Sequence, residues 1–144
     1  MRLQALAEER KPLLAEAEFY VGKALPATLL GQLEADTASA FLFNPRLEPL
    51  DFFRVLLDEY GIETVCRTKA EYLLALNAYL IQRLGKNLRT VLIIDEAQNL
   101  SPEMLEEVRL LSNLETPTSK LLQIMLVGQP ELAEMLARPE LRQL

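Results

Sequence analysis

Asp95 and Glu96 are adjacent carboxylates at the end of the apolar run Val91-Leu92-Ile93-Ile94. The run is too short to span a membrane and reads as a buried strand that carries acids to the rim of a sheet. In a nucleotide-hydrolysing site such a pair divides the labour. The first acid holds a Mg²⁺ ion by way of its water, and the second orients the attacking water. Asp95 is then the metal residue and Glu96 the base. A structural alternative gives both acids to the helix that follows, because carboxylates are stabilised near a helix N-terminus. An apolar strand ending in Asp-Glu does not by itself choose between the two.

Composition narrows the chemistry further. The 144 residues contain no histidine, which removes His-based acid–base catalysis, Ser-His triads and most zinc sites. Chemistry is left to carboxylates, Lys, Arg and backbone groups. The one cysteine, Cys66, has no partner for an internal disulfide and reads as a small apolar packer in a reducing compartment. A net charge of −6 gives no general attraction for phosphate backbones, and the basic residues are scattered, so there is no clear nucleic-acid signal. No apolar run approaches a membrane span, and Met1 to Lys11 is charged where a secretory signal would be apolar. The expected location is cytoplasmic.

Half of the residues are hydrophobic, enough for one domain with a real core. Nearly unbroken apolar runs predict strands at Ser39 to Phe43, Thr90 to Ile94 and Gln123 to Val127, each covered on both faces. Helical patterns lie between them. The first places Leu50, Phe53, Leu56, Leu57 and Tyr60 on one stripe after Pro49 and ends at Gly61. Thr68 and Glu71 form a T-x-x-E capping box for a second helix, which turns Tyr72, Leu73, Leu76, Tyr79 and Leu80 inward and stops near Gly85. Ser101-Pro102 starts a third, and Gly128-Gln129-Pro130 closes the last strand and opens a helix over Glu131 to Ala137. Strands alternating with helices predict an α/β sandwich with a mostly parallel central sheet and right-handed crossovers. Upstream, Met1 to Glu9 reads as a short helix, Pro12 to Ala15 as a possible strand and Pro26 to Leu33 as a helix.

Four stretches together carry a resemblance: Phe43-Asn44-Pro45-Arg46-Leu47, the block from Leu92 to Ser101, the run Leu111 to Thr116, and Leu126 to Leu132. In order and spacing, from about Gln32 to Leu144, the chain resembles the ExeA type of AAA+ ATPase, a P-loop NTPase family associated with general secretion and related export. The resemblance implies a three-layer α/β core that binds and hydrolyses ATP with Mg²⁺, self-association as in AAA+ rings, and secretion-system protein partners. It makes Asp95 and Glu96 the Walker B pair. It makes Gln129 the polar sensor of the γ-phosphate, at the carboxyl end of a parallel strand where ligands bind in open α/β sheets. Capping of the Pro130 helix is the structural alternative for Gln129. Gln98 and Asn99 are left to hold the loop after the acidic pair.

The likeness breaks at the phosphate loop. The family has G-x-x-x-x-G-K-[ST], whose backbone N–H groups wrap phosphates, whose Lys neutralises β- and γ-oxygens and whose hydroxyl binds Mg²⁺. Aligning Gly22-Lys23 with the motif puts Ala17 at its first glycine and Ala24 at its hydroxyl. Gly22 and Lys23 are then the surviving cofactor-binding candidates. Phe19 and Tyr20 are expected to crowd this loop, and Glu16 and Glu18 to add charge that repels a triphosphate. Residues 1–33 thus form a degenerate phosphate-loop region of a single domain spanning 1–144, with a well-matched core over 34–144. The helical lid that follows such cores is expected to be absent. Three readings stay open: an AAA+ ATPase core, a catalytically silent relative acting as an interaction module, and a fragment.

Overall fold

A computed structural model describes residues 18–21, 36–43 and 46–139. Its centre is a sheet of four strands, β1 Glu18–Val21, β2 Thr37–Phe43, β3 Arg89–Asp95 and β4 Gln123–Gly128. Their spatial order is β1-β4-β3-β2, and every neighbouring pair is parallel. The helices are α1 Pro49–Glu59, α2 Lys69–Gly85, α3 Pro102–Ser112 and α4 Pro130–Leu136. The chain is therefore α/β, as the core of a P-loop NTPase would be. The three strands predicted from apolar runs are present, each within two residues of its expected limits.

The pleat sends alternate residues to opposite faces. Ala40 and Leu42, Leu92 and Ile94, and Ile124 and Leu126 turn to one face, where they join one buried cluster with residues of all four helices. Phe52, Phe53, Leu56 and Leu57 of α1 lie at its heart, and Leu76 and Leu80 enter from α2. Each such side chain contributes roughly 1.5–3 kcal/mol by leaving water. Val91, Ile93, Met125 and Val127 alternate to the other face and are buried too. Burial on both faces is why these strands read as continuous apolar runs instead of alternating ones. The helices placed on the sheet occupy one face; the second layer expected of a three-layer core is not among the described residues.

Local signals fix where the helices begin. The Thr68 hydroxyl accepts from the Glu71 N–H at 3.3 Å while the Glu71 carboxylate accepts from the Thr68 N–H at 3.2 Å, completing the predicted capping box. Ser101 Oγ accepts from the Met104 N–H at 3.2 Å, ahead of Pro102. Three side chains tie helices to strands. Buried Tyr60, just past α1, donates its hydroxyl to the Val91 carbonyl at 2.7 Å. Arg83 of α2 donates to the carbonyls of Asp36 and Arg89 and to Thr90 Oγ1 at 2.9–3.1 Å, which binds the amino ends of β2 and β3 to the helix. On the outer strand β2, the Phe41 N–H donates to the Glu59 carboxylate at 3.3 Å.

Some expectations need correcting. Leu50 was expected on the buried stripe of α1 but is 47% exposed, and Phe52 is buried instead. At 100° per residue, the face formed by the buried Phe52, Phe53, Leu56 and Leu57 is centred roughly 90° from Leu50, which leaves Leu50 at its margin. Phe19 and Tyr20 are strand residues and do not stand in a loop. Two aromatic residues followed by Val21 favour extended backbone, and pairing with β4 fixes them there. Cys66 sits half-buried between α1 and α2, its Sγ 3.6 Å from Thr64 Oγ1. The segments Met1 to Glu9, Pro12 to Ala15 and Pro26 to Leu33 lie outside the described residues.

Candidate functional site

Parallel pairing brings the carboxyl ends of three strands to one rim. Asp95 is level with Phe43 of β2, Ile94 with Leu126 of β4, and Gly128 of β4 with Val21 of β1. The chain steps three places across the sheet from β1 to β2, then one place back at each of the next two crossovers. The chain leaves β1 towards β2 and leaves β4 through α4, which lies against β1, so these neighbouring strands send the chain in opposite directions. In open parallel sheets the crevice outside the carboxyl ends at such a reversal is where ligands bind.

Asp95 ends β3 half-buried, with Oδ1 accepting from the Glu96 N–H at 2.8 Å. Its Oδ2 has no protein partner among the described residues. Glu96 follows in the left-handed region, φ 54° and ψ 39°, a conformation that costs a non-glycine residue roughly 1–2 kcal/mol. The backbone then makes a short 3-10 turn, Ala97–Asn99, in which the Asn99 N–H donates to the Glu96 carbonyl at 2.9 Å. Glu96 stands at the N-cap position of the 3-10 turn but makes no side-chain cap hydrogen bond, and α3 is capped by Ser101.

Gln98 connects this turn to β4. Its Nε2 donates to Glu96 Oε2, and its Oε1 accepts from the Gln129 N–H at 3.1 Å. The backbone at Gly128 leaves no room for a side chain, since a Cβ there would come 2.6 Å from Gln98 Oε1 and 3.0 Å from Leu132 Cδ2. Gln129 itself is exposed at the N-cap position of α4 and makes no side-chain cap hydrogen bond. The role expected of Gln98, holding the loop after the acidic pair, has a physical form here. What sequence reasoning did not find is its partner on β4 and the dependence on Gly128. A glycine closing an apolar strand was the available signal.

The donor chemistry at Asp95 fits Mg²⁺, a hard cation bound by one or two carboxylate oxygens and otherwise by water and phosphate. A carboxylate with one oxygen anchored on the next residue's N–H and the other without a partner among the described residues suits that use. Gly22 and Lys23 lie outside the described residues. Glu18 stands at the amino end of β1, about 10 Å of strand from its carboxyl end.

Comparison with known proteins agrees with this architecture. The family model described as "AAA domain" matches residues 7–136. General secretion pathway protein A of Aeromonas hydrophila is 40% identical over 134 residues, covering 92% of this chain. The match spans 24% of that relative's length.

Proposed function

Since the chain belongs to the AAA domain family, we propose that the rim formed by β1, β4 and β3 is a Mg²⁺–ATP hydrolysis site within a secretion-linked assembly. The observation that carries this reading is the Asp95–Glu96 pair at the carboxyl end of the central strand β3, beside the point where the sheet reverses its winding. Asp95 would hold the metal through Oδ2, and the bound ion would supply charge neutralisation at the phosphates. Glu96 takes the role of base, accepting a hydrogen bond from the attacking water and aligning it for in-line displacement. Gln129 stands past the end of β4 as the amide that reads the terminal phosphate. Gly22 and Lys23 are the first two residues after β1. The link to secretion rests on the named relative alone.

One observation favours a second reading, a nucleotide-free relative that keeps the fold as an interaction module. Ala24 stands where the motif needs a hydroxyl, and Ala17 where it needs its first glycine. Calorimetric titration of the folded chain with Mg²⁺–ATP separates the two. Micromolar affinity, weakened about tenfold or more by Lys23→Ala, supports the hydrolysis site. No binding by a chain whose circular dichroism shows a native fold rejects it in favour of the interaction module.

A further inference from the structure

Gln98 is the residue on this rim whose contacts exceed what loop-holding requires. The Gln129 backbone nitrogen can only donate, so the atom facing it must be the amide oxygen of Gln98. That orientation turns Nε2, a donor, towards the Glu96 carboxylate. A primary amide both accepts and donates from one planar group; a carboxylate, hydroxyl-free aliphatic or ammonium at position 98 would fail at one contact. Gly128 completes the arrangement, because any Cβ there would displace Gln98 Oε1. The Glu96 backbone is held independently, by Asp95 Oδ1 on its N–H and by the Asn99 N–H on its carbonyl. What Gln98 fixes is therefore the side chain of Glu96. With Oε2 engaged by the amide, Oε1 has no partner among the described residues and would be the oxygen offered to a water.

We propose that Gln98 is a positioning residue that ties the Glu96 carboxylate to the Gly128–Gln129 turn, so that the base and the phosphate-reading residue shift together. The linkage stands on the geometry alone; its use in turnover rests on the hydrolysis reading above. A displacement of Gln129 as its side chain meets a terminal phosphate would move its own N–H, and with it the amide that aims Glu96.

Amide hydrogen exchange by NMR on the intact 144-residue chain tests the linkage without nucleotide. Glu96 does not touch the Gln129 N–H. Glu96→Ala nevertheless releases one end of Gln98 and is expected to speed exchange at Gln129 by about three- to tenfold, with the β4 amide of Leu126 unchanged. Gln98→Ala should speed it at least as much, and adding Glu96→Ala should add nothing more. Unaltered exchange at Gln129 in Glu96→Ala overturns the proposal. Should Gln98→Ala fail to fold, Gln98→Glu retains the acceptor for Gln129 but removes the donor to Glu96, and it is expected to speed exchange at Gln129 as Glu96→Ala does. Unaltered exchange at Gln129 in a folded Gln98→Glu protein would also overturn the linkage. In turnover of Mg²⁺–ATP, Gln98→Glu should lower kcat about 10- to 100-fold with KM within about twofold; a raised KM at constant kcat contradicts the positioning role. A wild-type chain that binds no Mg²⁺–ATP defeats the hydrolysis reading, while the exchange experiment still decides the linkage.

Discussion

Glu96 is held in a conformation that an L-residue adopts at a cost, φ 54°, at the position where the proposed chemistry needs its carboxylate. Non-glycine residues in this region are over-determined by their surroundings and gather at functional sites. Here the surroundings are the Asp95 carboxylate, the Asn99 N–H and the Gln98 amide. Removing the side chain separates conformational cost from hydrogen bonding. Glu96→Ala loses the Gln98 contact and keeps the unfavourable backbone, whereas Glu96→Gly loses the contact and relieves the backbone. The glycine variant should therefore be the more stable of the two by about 1 kcal/mol in denaturant unfolding. Equal stability would show that the turn does not hold position 96 in the left-handed region.

At the scale of elements, the joint between α1 and β3 is made by Tyr60. Its ring is buried against Tyr79, with centroids 5.5 Å apart, and its hydroxyl serves the Val91 carbonyl. Burial, reinforced by the neighbouring Tyr79, pushes the phenol well above its ordinary value of 10.0, with Arg83 opposing. The neutral phenol is favoured by the folded state, so its contribution is complete below the unfolded value and declines as pH rises beyond about 10. Wild-type stability should fall above pH 10 with a slope approaching 1.4 kcal/mol per pH unit from this group. Tyr60→Phe should lose about 1–2 kcal/mol at neutral pH by leaving the Val91 carbonyl without its donor, and should flatten the alkaline decline. Chemical denaturation at pH 7 and at pH 11 checks both signs. Helix starts were readable because Thr68, Glu71, Ser101 and Pro102 act within one turn of chain. The Tyr60–Val91 contact was not, because it joins positions 31 residues apart and depends on how α1 lies across the sheet.

For the molecule as a whole, β2, β3 and β4 were legible because doubly covered strands leave long apolar runs. β1 was not, since four residues beginning with Glu18 give too little pattern to separate a strand from a loop. The acidic pair was visible as a motif, and its position at the reversal of winding needed the strand order. The same order leaves β2 at the rim of the sheet, where the Glu59 carboxylate accepts the Phe41 N–H. A backbone donor already engaged by an anion cannot zip onto a passing chain, and the negative charge repels a second copy of the same edge. Glu59 thus acts as a gatekeeper of colloidal behaviour. Glu59→Ala should leave the secondary structure intact and shorten the lag before thioflavin-positive fibrils form in concentrated solution; an unchanged lag would assign that protection elsewhere. The carboxylate that finishes a helix would then also decide how densely this protein can be stored before it gels.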